Sequence, residues 1–394
     1  MKGIFKVGGC VRDKILNRKP KDTDFVVVGY TEEEFLEEFP KAKRQGNSFP
    51  VYVVDKCEYA FARKEMKVSS GHTGFEVSAN PEVTLFEDLY RRDLTINAVA
   101  EDSIGNFYSI TGDFSDFNNK VLRHVSKHFT EDPLRAYRVA RFAAQMPDFV
   151  VAEETLEIMS TMKEEMKFLS LERVYNEMFK ALESKKPSRF FDVLKAGGVL
   201  NIHFKVLDDS TKVPAGSLKQ HPEGSLYNHL MFCLDNVVSN DPVIRFAAMC
   251  HDLGKLKTDP LLYPKFPSHD VFGIRVVDQF SESIKASKKM QIAGRLASKY
   301  HMVFHKIEEV RPIKAAKISL ILESSFPGGI KNFLKVMESD GFSNEKSKRI
   351  LEMVSKIKLI KLPEKHENRG VISGEILAHL RGIEWRKEFR KKKV

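Results

Sequence analysis

The chain has 394 residues, 42% apolar and 30% charged, enough for two to four packed units, and no apolar run reaches the roughly 20 residues that would make it a membrane-spanning protein. Its formal charge of +10 favours a polyanionic partner, because basic surface gathers phosphates. Cys10, Cys57, Cys233 and Cys250 form no C-x-x-C pair, which points to reduced thiols and a cytoplasmic protein, and the N-terminus MKGIFKVGG runs directly into a candidate site rather than reading as a cleavable signal.

Residues 1–120 alternate short β-like runs (IFKV, FVVVG, FPVYVV, YAFAR, FYSI) with helical patches such as TEEEFLEEF, the pattern of a mixed α/β head on a small sheet. Gly8 and Gly9 stand between IFKV and the helical VRDKIL. Glycines at such a strand-to-helix turn let backbone N–H groups approach phosphates, and Arg12 in the first turn could reach a triphosphate. An ordinary tight turn with a surface arginine is the plainer reading of these residues alone. Asp22 and Asp24 then lead into FVVVG at alternate positions. Alternate strand residues share a face, so two carboxylates would meet at one spot and need a cation. Mg²⁺, held jointly by carboxylates and substrate phosphates, suits that need. A lone D-x-D is more often a turn acid; the preceding glycine turn changes the balance. In RRDLTINAVAED, Arg92 either complements phosphate oxygens or forms a surface pair with Asp93.

From about residue 121 the spacing turns helical, through EDPLRAYRVARFAAQ, EETLEIMSTMKEEM, LERVYNEMFKALES and SRFFDVLKAGGVL, with the glycine pair 197–198 ending the last. Asp132, Arg135, Arg138 and Arg141 recur every third residue, so neighbours share a face while the outer two lie half a turn apart. The four cannot serve one small group. A carboxylate with a guanidinium can match the amine-bearing edge of cytosine or adenine, whereas uracil and guanine present a carbonyl there. Asp132-Pro133 is also a good helix start. Residues 206–225, rich in Pro, Gly, Ser and charge, are expected to be a linker, 226–330 a second helical unit, and 331–394 a helical basic tail. His229, the CHDLGK stretch with His251 and Asp252, His269, and the i, i+4 pair His301 and His305 fall in this second half. Gly254 is expected to stop the helix before it. Such a set suits a divalent metal (Ni, Mn, Co or Mg), and the missing glutamate after His301 excludes the H-E-x-x-H protease pattern. His305 by itself reads as an ordinary imidazole.

GGCVRD, KDTD, RRDLTINA and EDPLRAYRVARF, in this order and spacing, resemble the class II tRNA nucleotidyltransferases, the CCA-adding enzymes, in their long bacterial type with a C-terminal HD phosphohydrolase domain. The resemblance covers the first 142 residues, and LERVYNEMFKAL fits the family's neck and body. It implies an α+β fold: a small mixed-sheet nucleotidyltransferase head (1–120), an all-helical neck and body (121–205), and an all-helical HD domain (226–330) with its basic tail. It further implies catalytic Mg²⁺ on Asp22 and Asp24, nucleotide contacts from Gly8, Gly9, Arg12, Arg92, Arg138 and Arg141, and a protein template for the base in Asp132 and Arg135. The implied partners are CTP, ATP and the acceptor and T arms of tRNA, with no membrane; monomer and homodimer both stay open. Three positions depart from the family: Cys10 replaces a small residue, Asn17 a glycine, and Ser109 an aspartate for which Asp113 would have to substitute.

The order H…HD…H resembles the HD phosphohydrolase superfamily. It implies His229, His251 and Asp252 as ligands, extended by His269, His301 and Asp340, with a metal-generated hydroxide attacking phosphate or 2′,3′-cyclic phosphate esters. Rival expectations are a poly(A) polymerase, which shares the head motifs, a hydrolase whose head only binds RNA, and a non-catalytic tRNA-binding protein.

Overall fold

A computed structural model of the chain describes residues 2–45, 51–67, 75–79, 81–367 and 370–390; the last four residues of the basic tail, 391–394, lie outside the described residues. The chain divides into two compact units, Met1–Ala181 with Arg189–Ile202, and Leu182–Ser188 with His203–Val394.

In the first unit, the β-like runs become strands β1 (Gly3–Val7), β2 (Asp24–Val28), β3 (Lys43–Gln45), β4 (Val51–Val54), β5 (Cys57–Phe61), the hairpin pair β6 (Arg63–Lys67) and β7 (Phe75–Ala79), β8 (Val99–Glu101) and β9 (Phe107–Ser109). Seven of them form one sheet in the order β3-β4-β5-β2-β1-β8-β9. It is mixed: β2 runs parallel to β5 and antiparallel to β1. Alternation sorts the side chains. Phe5, Val7, Val26, Val28 and Ala100 face a core shared with Leu85 and Leu89 of the helix Leu85–Tyr90, whereas Val27 and Tyr52 face Phe35 of the helix Glu32–Glu38. That second helix starts in a capping box between Thr31 and Glu34, which satisfies two otherwise orphaned N–H groups. Helices Leu134–Gln145, Glu153–Thr161, Lys163–Met166, Leu171–Leu182 and Ser188–Ala196 follow. Gly198, at φ 66°, adopts the left-handed conformation past the last of them, as the glycine pair predicts.

The named elements of the second unit are all helical, including Leu226–Asn236, Pro242–Cys250, His269–Ser283, Lys288–His305, Ile330–Ser339, Asn344–Lys358 and Val371–Arg390. Two expected boundaries are replaced. Residues 206–225 are no bare linker: they complete a helix, Lys205–Ser210, and bury Val213 and Ala215, and Pro214 bridges Ser225. Polar composition hid this, because the buried residues are few and local pairing supplies the rest. Residues 331–390 are likewise no separate tail, since Phe333, Leu334, Ile350, Met353 and Trp385 share one core with Ala297 and Phe304. No helix among the described residues is long and apolar enough to cross a membrane.

Candidate functional site

The glycine turn forms as expected. Gly8, at φ 71°, joins β1 to the helix Gly9–Ile15, a conformation open to glycine at no steric cost. A Cβ on Gly8 would also stand 3.0 Å from Nη1 of Arg92, so the missing side chain lets that guanidinium lie against the turn. Arg92 does not pair with Asp93; its Nη2 donates to Asp88 Oδ2 at 3.0 Å, and Asp88 is buried. Burial by itself would raise the Asp88 carboxyl, but Arg92 and then Arg91 outweigh it and hold it below the ordinary value.

Across the turn, Asp24 is the first residue of β2 and is in register with Val7. Asp22 sits on the irregular segment just before the strand rather than on it, and both aspartates are exposed. Glu58 of β5 is in register with Asp24 on the parallel side, which puts a third carboxylate on the same face. The Asp24 carboxyl is raised above its ordinary value, first by partial loss of hydration, then by the charge of Glu58; Arg92 opposes this and Asp22 adds to it. Arg92 offsets only part of the repulsion among these oxygen donors, and their chemistry suits a hard divalent cation. Ser109 stands elsewhere. Cross-strand partners Asp24, Val7, Ala100 and Tyr108 share one face, so Ser109, the neighbour of Tyr108, points to the other face. It is also three strands from Asp24, roughly 14 Å at ordinary strand spacing. Asp113 is spent on Ser115 N, at 3.1 Å, and its hydroxyl, at 2.9 Å.

The arginines are held by separate partners. Arg12 donates to Asn97 Oδ1 at 2.9 Å and to Asp13 Oδ1, and lies 5.2 Å from the centre of the Phe142 ring. Arg135 ties the carbonyls of His128 and Arg91, each at 2.7 Å. Asp132 accepts from Leu134 N at 3.0 Å, the helix-start role, and from Arg173 Nη2 at 2.9 Å. Arg138 donates to Asp93 at 2.7 Å. The expectation that Arg141 contacts nucleotide meets a different arrangement: it is 8% exposed, paired with Glu177 at 2.5 Å, and lies on the Phe142 ring at 4.1 Å. Its position half a turn from Asp132 turns it into the protein.

Asp93 is buried, and burial by itself would raise its carboxyl; the Arg138 guanidinium and hydrogen bonds from Asn97 and Arg138 override this and depress it. A depressed carboxyl contributes stability that is present above the unfolded value near 3.8 and lost as pH falls through the folded value. Asp93→Asn should therefore cost roughly 2 kcal/mol at pH ~7, modest for a buried pair because Arg138 is partly exposed. The difference from wild type should shrink below about pH 4. Urea unfolding at both pH values checks this, and a constant difference would mean that folding leaves the Asp93 carboxyl unshifted.

In the second unit, His229 of the helix Leu226–Asn236, His251 at the end of Pro242–Cys250, and Asp340 at the end of Ile330–Ser339 converge. His229 Nε2 lies 3.4 Å from His251 Nε2 and 3.3 Å from Asp340 Oδ1. Asp252 Oδ1 lies 3.2 Å from His269 Nε2 and 3.1 Å from His301 Nε2. Gly254 is no helix stop: a Cβ there would fall 1.9 Å from the His269 carbonyl oxygen, so its bareness lets the His269 segment approach. The Nδ1 atoms of His251, His269 and His301 face the carbonyls of Ala248, Phe266 and Ser298 at 2.7, 2.6 and 2.8 Å. A carbonyl only accepts, so each Nδ1 carries the proton and each Nε2 turns its lone pair inward. Asp252 Oδ1, though buried, accepts no hydrogen bond from any described residue. Inward lone pairs and an unpartnered carboxylate oxygen fit a bound cation. His305 is not idle, since its Nε2 lies 2.7 Å from Asp340 Oδ2.

Residues 4–123 match the family described as the poly A polymerase head domain. Residues 148–211 match the one described as "Probable RNA and SrmB- binding site of polymerase A". Among solved structures, the Thermotoga maritima CCA-adding enzyme complexed with tRNA is similar at 20% identity and TM-score 0.64, over 99% of this chain and 88% of that one. The Bacillus stearothermophilus CCA-adding enzyme in complex with CTP is similar at 20% identity and TM-score 0.63, over 97% and 87%. A structure titled "tRNA-processing enzyme (apo form I)" gives 20% identity and TM-score 0.58, over 96% and 92%. The chain has the fold of the CCA-adding enzymes: a mixed-sheet polymerase head followed by helices.

Within the head, the structure gathers Gly8, Arg92, Asp22 and Asp24, with Arg12 beside the turn, and gives Asp132, Arg135, Arg138 and Arg141 separate partners. Glu58, Asp88, Asn97 and Arg173 escaped the sequence reading, because only strand register and helix packing bring them in. In the second unit, Glu223, Cys233 and Lys255 were missed. Glu223 Oε1 lies 2.8 Å from His229 Nδ1, and Lys255 Nζ 2.6 Å from Asp252 Oδ2. Cys233, one turn after His229, and Lys255, three residues after Asp252, were within reach of spacing arguments.

Proposed function

We propose that this protein adds C, C and A to the 3′ end of tRNA from CTP and ATP without a nucleic-acid template. The observation that carries the reading is the meeting of Asp22, Asp24 and Glu58 with Arg92 at the Gly8 turn. Structures of that fold described with CTP, with ATP and with tRNA add weight. Asp22 and Asp24 would hold Mg²⁺, which when bound activates the attacking hydroxyl and neutralises the leaving group. Gly8 and Gly9 give the triphosphate a close backbone approach, and Arg92, fixed by Asp88, offers it a cation. The tRNA 3′ hydroxyl gives up its proton to solvent as its oxygen bonds to the α-phosphorus, the α–β bridging P–O bond breaks, and pyrophosphate departs with that electron pair.

In this reading Asp132 and Arg135 template the base, with Arg173 holding the Asp132 carboxylate in place. Asp132→Ala should relax the choice of CTP and ATP over UTP and GTP about tenfold while leaving tRNA affinity unchanged. Nucleotide competition assays measure it, and unchanged choice would return Asp132 to a helix-start residue. The defining experiment is incorporation of each labelled nucleotide, singly and together, into a tRNA that ends before CCA. Two C additions, one A and then a stop support the reading. ATP alone growing into long tails would favour a poly(A) polymerase, the description attached to the head family.

The second unit carries its own reading, a metal-dependent phosphohydrolase of the HD kind acting on phosphate and 2′,3′-cyclic phosphate at RNA ends. The inward Nε2 atoms around Asp252 support it. His229, His251, Asp252, His269, His301 and Asp340 would hold the metal, whose role is to supply a nucleophilic hydroxide at neutral pH. Lys255, paired with Asp252, places a cation where a phosphate would dock.

A further inference from the structure

We propose that the second unit has two unlike cation positions, and that Cys233 is the fourth ligand of a closed one, with His229, His251 and Asp340, beside an open one formed by Asp252, His269 and His301. The proposal rests on reading the histidine cluster as a metal centre. Four ligands at the nitrogen, oxygen and sulfur bond lengths of a tetrahedral site stand ~3.3 Å apart for N and O pairs and ~3.6 Å apart where sulfur is involved. With Asp340 Oδ1 as its oxygen ligand, the closed set has four edges near those lengths. His229 Nε2 lies 3.4 Å from His251 Nε2 and 3.3 Å from Asp340 Oδ1, whereas the 3.6 Å approach of His251 Nε2 is to the other oxygen, Oδ2. Cys233 Sγ lies 3.7 Å from His229 Nε2 and 3.9 Å from Asp340 Oδ1, and all four ligand atoms fall within 4.8 Å of one another.

The shell around this position is built to hold it. Glu223 accepts a hydrogen bond from Nδ1 of His229 at 2.8 Å and also contacts His221 Nδ1 at 2.9 Å, and the Ala248 carbonyl accepts one from Nδ1 of His251. Such outer partners fix the tautomer and present Nε2 as donor. His229, Cys233 and His251 are buried and Asp340 is partly exposed, and four protein ligands fill a tetrahedral shell, as in a structural site. The second set is different: Asp252 Oδ1, His269 Nε2 and His301 Nε2 stand 3.0 to 3.2 Å apart, only three ligands, which leaves coordination for water and a phosphate oxygen. Asp252 faces both positions, with Oδ2 at 3.5 Å from the Nε2 of His229 and of His251.

The chemistry of the occupants follows. Binding at the closed position releases the Cys233 proton to solvent and forms a metal–thiolate bond. With the Asp340 carboxylate, the thiolate cancels the charge of a divalent ion. A thiolate selects Zn, Co, Ni or Fe over Mg, whereas the N₂O set at the open position admits harder ions.

The test uses the full-length protein, stripped with a chelator and titrated with Co²⁺ while its absorption spectrum is recorded. We expect about two ions bound per chain and a thiolate-to-cobalt charge-transfer band in the near ultraviolet. Cys233→Ser should lose that band and one ion; His301→Ala should keep the band and lose the other ion. Cobalt bound by wild type with no thiolate band overturns the proposal while leaving a metal centre in place, and needs no variant to fold. No cobalt bound by wild type with an intact circular dichroism spectrum overturns the proposal and the hydrolase reading together.

Discussion

Asp24→Asn should lower nucleotide incorporation by about 10³-fold or more, with the head still folded. Asp24 is exposed at the first position of β2, so the substitution opens no cavity and breaks no buried pair; its cost falls on chemistry. Asparagine keeps the shape and one oxygen but removes the charge that meets Glu58, Asp22 and Arg92. Asp22→Asn should act in the same direction. Ser109→Ala should leave incorporation unchanged, because Ser109 lies on the opposite face of the sheet and its hydroxyl contacts Thr111. The measurement is single-turnover addition of labelled CMP to a tRNA ending before CCA, with circular dichroism as the folding control. Activity within tenfold of wild type in Asp24→Asn would place the reacting centre elsewhere. A large loss in Ser109→Ala would mean that β9 reaches the site after all.

His251→Gln should remove hydrolysis of a 2′,3′-cyclic phosphate by about 10²-fold or more and leave nucleotide addition intact. Glutamine fills much of the imidazole's volume, which matters because His251 is 1% exposed, and a truncation there would add a cavity cost to the chemical one. Burial pushes the His251 imidazole down to about 4, against the attraction of Asp252 and Asp340, so at neutral pH it is an uncharged ring suited to ligation. Both rates are read on one preparation. Hydrolysis that survives the change would detach the cluster from that activity. Loss of addition as well would show that the two units do not work independently.

The local devices were legible in the sequence by itself: the Gly8 turn between a strand and a helix, the aspartates leading into FVVVG, the short β-like runs of a mixed α/β head, and the histidines in HD order. Each depends on backbone geometry within a few residues, where periodicity and glycine or proline chemistry act directly. Tertiary structure decided the partners. Asp132 and Arg141 find their partners Arg173 and Glu177 on the distant helix Leu171–Leu182, and Glu58 reaches the Asp24 face through a parallel strand pairing. Composition misjudged 206–225, where polar residues belong to a packed segment that orients His229 through Glu223. It also split off 331–394, although Asp340 from that stretch completes the histidine cluster. Charge and polarity report what a residue prefers around it, and only the packed chain supplies the cation, carbonyl or metal position that satisfies the preference.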